Sequence, residues 1–453
     1  MPDSANATAA PGPRPGNYRW VICGLLLAAI AINYVHRQTI AGLKDPLSKE
    51  FGWDENGYAN VVFWFQAAYA AGYLAWGRIL DRIGARLGYT IAFTLWTTAH
   101  ILTGAVTSAF QFTLARVALG LGESGSFPSS IKAVTEWFPQ KERAFAAGVF
   151  NAGSNIGAII APLIVPMIAL GTVNMNFGSL GLHMSGLGWG WRGAFFLTGG
   201  ASLIWAVVWW LVYRRPTEHV RVGAAELTLI QSDPADHVDK VPWVRLLLVK
   251  ETWVYAGAKF LIDPIWWLYL FWLPDFFKKA YGLDIGSFGP PIVAIYLLSD
   301  IGSITGGWMS SFLIKLGITV NMARKATLFV FALCVLPMLF AQGIHNLWEA
   351  VGIIGLAAAA HQAFSANVYT LPSDLFPRSA VGSVIGIGGT AGAIGGMMMS
   401  KFVGWILQAA KDAGHESSGY AVIFSIAAFT YLVAFAFVHL MSPKLKRNET
   451  VGL

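Results

Sequence analysis

The sequence predicts an all-α membrane protein of twelve transmembrane helices in two six-helix bundles, and three observations carry that expectation. Fifty-five per cent of the residues are hydrophobic and 12% are charged, with a mean hydropathy of +0.55. Apolar stretches of about twenty residues, long enough as helix to cross a ~30 Å hydrocarbon core, recur along the chain. The two halves also overlay at a shift of about 230 to 240 residues. Glu136-Trp137-Phe138-Pro139 aligns with Asp374-Leu375-Phe376-Pro377, and Gly77 to Arg86 with Gly307 to Gly317, the second copy carrying Lys315 and no aspartate. An even number of helices per copy gives both the same orientation in the bilayer and places a binding site between them near the midplane.

Taken in order, residues 1–18 are rich in Ala, Pro and Gly, lack a signal-peptide pattern and read as a disordered tail. The first bundle, 19–213, holds helices over Trp20–Leu43, Ala59–Leu80, Leu87–Thr107, Phe110–Thr135, Ala144–Leu170 and Gly193–Tyr213, with a Gly-rich insertion from Thr172 to Gly190. Residues 214–251 turn polar and carry Pro216, Pro234 and Pro242, the signs of a linker. The second bundle, 252–441, holds Trp253–Phe277, Pro290–Ile314, Arg324–Gln342, Asn346–Leu371, Val381–Gln408 and Tyr420–Met441, and a tail of 442–453 follows.

The net charge of +7 is a topology signal here, with no implication of nucleic acid. Arg78, Arg82, Arg86, Lys141, Arg143, Arg214, Arg215, Arg221, Lys315, Arg324, Lys325 and Arg378 share one face with the basic last tail. The other face keeps chiefly Lys44, Lys49, Arg192, Lys278, Lys279 and Lys411, so both termini are expected in the cytoplasm. Cys23 and Cys334 lie inside apolar runs and offer no disulfide, metal or cofactor framework. An enzyme is disfavoured, because the chain has no H-E-x-x-H, no Gly-rich phosphate loop and no sizeable soluble segment.

Function is legible first in Asn33-Tyr34-Val35-His36-Arg37-Gln38, a polar patch inside the first apolar run. An arginine near the bilayer centre costs at least ~2.5 kcal/mol, so Arg37 must face protein or a water-filled cavity. The alternative, snorkelling to the surface, is weakened by Lys44 and Lys49 lying further out.

Gly77-Arg78-Ile79-Leu80-Asp81-Arg82-Ile83-Gly84-Ala85-Arg86 resembles the loop signature of the major facilitator superfamily. Its glycines permit close helix approach, while Asp81, Arg82 and Arg86 suit charge-assisted bonds holding helix ends together in one state of a transport cycle. Within that superfamily the chain resembles the anion:cation symporter branch, and bacterial hexuronate transporters above all. The resemblance rests on Asn33 to Gln38, on Gly122-Glu123-Ser124-Gly125-Ser126-Phe127-Pro128, on Trp137-Phe138-Pro139 with Glu142-Arg143, on Asn151 to Asn155, and on Asp263-Pro264-Ile265-Trp266-Trp267. It implies a monomer in the bacterial inner membrane that imports a galacturonate- or glucuronate-like sugar acid with protons. The family pattern has an aspartate where this chain has His36. Like charge from Arg37 and desolvation favour a neutral imidazole. Arg37 is then expected to keep a more exposed positive charge, so that His36→Asp lowers affinity and increases pH-driven accumulation.

On their own chemistry, Arg116 and Glu123 lie two turns apart and are expected to share one lining surface, with Glu123 loading and releasing a proton as the site opens and closes. A static ion pair is the alternative. Lys259 and Asp263 have the spacing of an ordinary intrahelical pair. Pro264 predicts a local helix break at mid-membrane. Trp266, Trp267, Tyr269 and Trp272 offer flat apolar area for a sugar ring, although only one or two need touch it. Amides and hydroxyls at Gln66, Tyr69, Asn151, Asn155, His361, Gln362, Asn367 and Tyr369 suit a polyhydroxylated ligand or, equally, ties between helices. The runner-up substrates are an aldonate or another carboxylate, and a uniporter follows if His36 has abolished coupling.

Overall fold

The computed structural model describes residues 16–177, 180–232, 243–415, 418–446 and 448. Most of the expected disordered first tail, the linker prolines Pro234 and Pro242, and half of the last tail lie outside the described residues. α1 (Tyr18–Gly42) is followed by a short α2 (Lys44–Phe51) that the sequence reading did not include, ended by Gly52 in the left-handed region at φ 66°. α3 (Glu55–Thr103) starts at Asp54, whose side chain accepts from the Gly57 amide. Its 49 residues would make about 70 Å of straight helix. Gly84, at φ 79° and ψ 171°, divides it into two arms instead. The arms lie side by side, because α4 (Ala109–Glu123) packs Gly120 on the Phe65 carbonyl of one and Gly122 on Trp96 of the other.

The single helix expected over Phe110–Thr135 is interrupted after Glu123. α5 (Ser126–Trp137) restarts beyond Gly125, where a Cβ would collide with Trp76 and Ala92. α6 (Gln140–Ala169) leads into an antiparallel hairpin of β1 (Thr172–Phe177) and β2 (Leu180–Ser185), with Thr172 opposite Ser185. The hairpin falls within the Gly-rich insertion, to which the sequence assigns no element. α7 (Gly190–Val212) follows, and the linker contains α8 (Ala224–Ile230) and α9 (Trp243–Leu247).

α10 (Lys250–Tyr281) corrects the expected break at Pro264, since the helix runs through both Pro264 and Pro274. Proline removes the bond to the carbonyl four residues back. That carbonyl, at Phe260, lies against Gly395 of a later long helix in the same half, so a neighbour covers what the backbone leaves open. α11 (Gly289–Lys315) and α12 (Val320–Val335) come next. The expected helix to Gln342 becomes a 3₁₀ segment over Leu336–Gly343, because Pro337 cannot donate to Leu333. α13 (Leu347–Val368), α14 (Leu371–Leu375), α15 (Arg378–Asp412) and α16 (Ser418–Met441) complete the chain.

The sequence repeat reappears as a packing repeat. α1 lies on α6 through Gly153 and Gly157, which sit against the Leu27 and Ala31 carbonyls. α10 lies on α15 in the same manner, through Gly388, Gly392, Gly395 and Gly396 against Tyr255, Asp263, Phe260 and Trp267. Small residues at a seam let backbones approach and maximise dispersion contact where lipid offers no hydrophobic drive. Eight helical segments among the described residues are long and apolar enough to cross a membrane by length and composition. α3, α4 with α5, and α10 are not among them, and these elements carry Arg116, Glu123, Lys259 and Asp263.

Candidate functional site

A cavity of about 190 Å³ opens where α1, α3, α4 and α6 face α10, α13 and α15. On α1, residues four apart share a face, so Asn33 and Arg37 both line it, with Tyr34 beside them. Arg37 is 3% exposed. Its Nε donates to Glu123 Oε2 at 3.0 Å and one Nη to Asn33 Oδ1 at 3.0 Å. The guanidinium carbon stands 4.7 Å from the Tyr34 ring, 5.0 Å from Tyr69 and 5.0 Å from Trp267. Each ring face is electron-rich, so the cage holds the cation through contacts that need no second acid. Glu123, the last residue of α4, is fully buried, and its Oε1 has no partner among the described residues.

The opposite wall repeats this chemistry. Lys259 Nζ lies 2.7 Å from Asp263 Oδ1 and donates to the Tyr369 hydroxyl at 2.8 Å. It also sits 3.9 Å over the Tyr369 ring. The expected intrahelical pair therefore forms, and both its members face the cavity. Trp266 stacks on His361 at 5.4 Å and 7°, and His361 Nδ1 is 2.6 Å from the Tyr431 hydroxyl. Asn151, Gln362, Trp267 and Tyr69 complete the set of sequence-selected residues that line the space. Tyr269 and Trp272 do not line it and pack as core.

Other selected residues lie elsewhere. Gln66 accepts from Ser400 at 2.9 Å, and Asn367 donates to the Gly306 and Ala363 carbonyls, each an amide tying helices together. Asn155 donates to Asp300, joining α6 to α11. Arg116 does not share the lining surface with Glu123. It stacks 4.8 Å from the Phe65 ring behind the cavity, with Nε and one Nη lacking partners among the described residues. His36 points away from the cavity, stacked at 3.8 Å on His100 and bonded to Ser202 Oγ at 2.9 Å. Arg37 is thus paired with Glu123 and is not left exposed by His36. Tyr73, Ser126, Tyr255 and Asp300 were not selected. Tyr73 lies one turn from Tyr69 and Tyr255 one turn from Lys259, so helical spacing alone would have found the two tyrosines of the cavity.

Among the proposed gating residues, Asp81 lies 3.6 Å from Lys132, linking α3 to α5. Arg86 donates to the Trp210 carbonyl at 2.7 Å, Glu136 accepts from the Tyr213 hydroxyl at 2.7 Å, and Arg143 donates to the Phe138 carbonyl at 3.0 Å. Arg82 is exposed.

The cavity's two ends differ. Lys44 bridges Glu55 at 2.7 Å and Asp275 at 2.6 Å, Lys279 reaches the same two acids, and Tyr420 donates to Asp275 at 2.6 Å. Lys278 adds a contact to Asp45 at 2.6 Å. Among the described residues, every ion pair joining residues 18–212 to residues 250–441 lies at this end. At the opposite end the pairs stay within one half or reach the linker. Arg19 binds Glu142 at 2.8 Å and Glu226 at 3.2 Å, and Arg324 binds Asp374 at 3.1 Å.

A hexuronate transporter of Escherichia coli (strain K12) is 27% identical over 416 residues, covering 90% of each chain. A galacturonate transporter of Dickeya chrysanthemi is 29% identical over 296 residues, covering 64% of this chain and 81% of that one. Among solved structures, a bacterial homologue of the human lysosomal transporter Spinster, inward-facing and unoccupied, superimposes with a TM-score of 0.74 at 18% identity, covering 95% of this chain and 98% of that one. The fold and the relatives are those of membrane transporters, not of enzymes. The Major Facilitator Superfamily pattern matches residues 26–400, and the chain belongs to that superfamily.

Proposed function

We propose that the chain imports a small sugar acid, a hexuronate such as galacturonate or glucuronate, together with protons, by alternating access between two six-helix bundles. The bundles are residues 19–213 and 252–441, joined by the linker 214–251. The twelve crossings are α1, the two arms of α3, α4 with α5, α6, α7, α10, α11, α12 with its 3₁₀ segment, α13 with α14, α15 and α16. The setting is a bacterial inner membrane with both termini cytoplasmic and the protein a monomer in lipid. On that orientation the ion-paired end is the outer seal and the cavity communicates with the cytoplasm.

One observation carries the reading: Arg37, caged by aromatic rings, shares its guanidinium with the protonatable Glu123 inside a cavity whose other lining includes the Lys259–Asp263 pair together with amides, hydroxyls and indoles. A planar guanidinium binds a carboxylate through two parallel bonds. When the substrate carboxylate takes Arg37, Glu123 loses its partner, and a proton from the outer solution neutralises it. Release reverses the order, with the proton leaving to the cytoplasm and Glu123 returning to Arg37. The amides and hydroxyls of Asn151, Gln362 and Tyr369 both donate and accept, as sugar hydroxyls require. The named substrates of the two curated relatives support the same chemical class.

Counterflow in proteoliposomes against a panel of sugar acids, neutral sugars and aldonates tests it. Exchange of uronates with neutral sugars excluded is the expected result, and exchange of neutral sugars alone overturns it. A second reading, a uniporter or an aldonate carrier, is favoured only by His36 standing where the pattern of the resembled family has an aspartate. It requires downhill transport without accumulation, or a preference for the open-chain acid.

A further inference from the structure

Lys259 and Asp263 were read from their spacing as a structural pair, yet they face the cavity with the same equipment as Arg37 and Glu123. In each case a buried cation is shared between one carboxylate and one neutral partner, Asn33 for Arg37 and the Tyr369 hydroxyl for Lys259. Each cation also lies over an aromatic face, at 4.7 Å for Arg37 on Tyr34 and 3.9 Å for Lys259 on Tyr369. A pair that only braced α10 would have no need to line the space a ligand enters. Ionised groups at membrane depth are costly wherever they are placed.

We infer that Lys259, Asp263 and Tyr369 form a second carboxylate-binding centre, so that the site takes a sugar acid carrying a carboxylate at each end and carries one proton with each carboxylate. This rests on the sugar-acid reading above. Both centres border the same cavity. Arg37 lies 5.0 Å from the Trp267 ring, and Trp267 is one helical turn, ~5.4 Å, along α10 from Asp263. An extended six-carbon chain, with C–C bonds of ~1.5 Å, reaches about 6 Å.

The exchange balances at both centres. One substrate carboxylate displaces Glu123 from Arg37 and the other displaces Asp263 from Lys259. Each freed carboxylate takes one proton from the entry side and gives it up on the exit side as the ion pair re-forms. A ligand with one carboxylate leaves the Lys259–Asp263 pair closed and moves with one proton.

The test uses the full chain in proteoliposomes with two probes of matched stereochemistry, galacturonate with one carboxylate and galactarate with two. Wild type is expected to exchange both. At equilibrium, accumulation is expected to rise about tenfold per unit of pH gradient for galacturonate, one proton each, and about hundredfold for galactarate, two protons each, with neither responding to membrane potential because each proton balances one carboxylate charge. Lys259→Gln combined with Asp263→Asn removes both charges together, which avoids stranding one of them in a buried site. That variant is expected to lower the ratio of galactarate to galacturonate exchange about tenfold, and Lys259→Arg is expected to keep the ratio within about threefold of wild type. Exchange of galacturonate with galactarate excluded, an unchanged ratio in the double variant, or one proton for either probe overturns the second centre and leaves the sugar-acid reading standing. Failure of both probes to exchange in wild type overturns the two together.

Discussion

Arg37 and His36 are neighbours in sequence, but α1 turns them to opposite sides. Arg37 enters the cavity and binds Glu123, whereas His36 enters the seam with α3 and α7 and binds Ser202 and His100. Successive helical residues are rotated by about 100°, so a continuous polar run need not be one site. The cavity face is built from charges that hold one another and have groups to spare, such as Glu123 Oε1 and Asn33 Nδ2. The seam face is built from short neutral bonds, His100 to Thr198 Oγ1 at 2.8 Å and Ser202 Oγ to the Thr198 carbonyl at 2.6 Å. Unpaired capacity alone does not mark a ligand site, since His36 Nδ1 and His100 Nδ1 in the seam also lack partners among the described residues; what sets the cavity face apart is that its charged groups border open space.

The largest expected effect comes from removing the fork on the cavity face. Arg37→Lys keeps the charge but loses the two parallel bonds. Hydrogen bonds to charged groups contribute about 1.5–3 kcal/mol, so uronate affinity is expected to fall by about 100-fold, measured by uptake and by calorimetry on folded protein. Near-native affinity in that variant would remove Arg37 as the anchor and leave Arg116 the next candidate.

A smaller effect is expected at Glu123, and it divides two assays. Glu123→Gln resembles the protonated acid permanently, so accumulation driven by a pH gradient is expected to vanish while counterflow stays within about tenfold of wild type. An equal loss in both assays would make Glu123 a structural partner of Arg37 or a direct ligand group. The sign follows from the pair itself. Only the ionised acid competes with substrate for Arg37, so lowering the outer pH is expected to strengthen binding in wild type and to leave the glutamine variant unmoved.

The same contrast explains how much the sequence revealed. Apolar length, repeat and positive-charge bias are properties of long segments, and they located the helices to within a few residues. What they missed depends on single residues meeting distant ones. Gly84 bends α3 without a visible loop, and Pro264 is tolerated because Gly395, more than a hundred residues away, lies against the carbonyl it frees. At the site, charged residues were informative because few explanations exist for them inside a membrane. Amides were not, since Asn151 reaches the cavity while Asn155, one turn on, binds Asp300 and Asn367 binds backbone. Nothing local distinguishes those uses.

The smallest expected effect on transport is at His36, and its outcome separates the two faces of α1. The ring lies outside the cavity, so His36→Asp is expected to change uronate half-saturation by no more than about threefold, against the loss of affinity that a carboxylate beside Arg37 would cause. The consequence should appear in stability instead. Arg116, 1% exposed, has two N–H groups without partners among the described residues, and its remaining Nη donates to the carbonyl of Arg37, the residue next to His36, at 3.5 Å. A buried cation lacking an acceptor is a standing cost. An aspartate at position 36 supplies one, and a hydrogen bond between charged groups is expected to add about 1–2 kcal/mol to stability, less the loss of the His100 stack. Thermal unfolding of His36→Asp, Arg116→Gln and the double variant forms a cycle in which the gain from aspartate disappears once Arg116 is gone. If the gain survives in the double variant, Arg116 is not its source. A rise in half-saturation well beyond threefold would show instead that position 36 reaches the cavity in another state of the cycle, and that the two faces of α1 exchange places during transport.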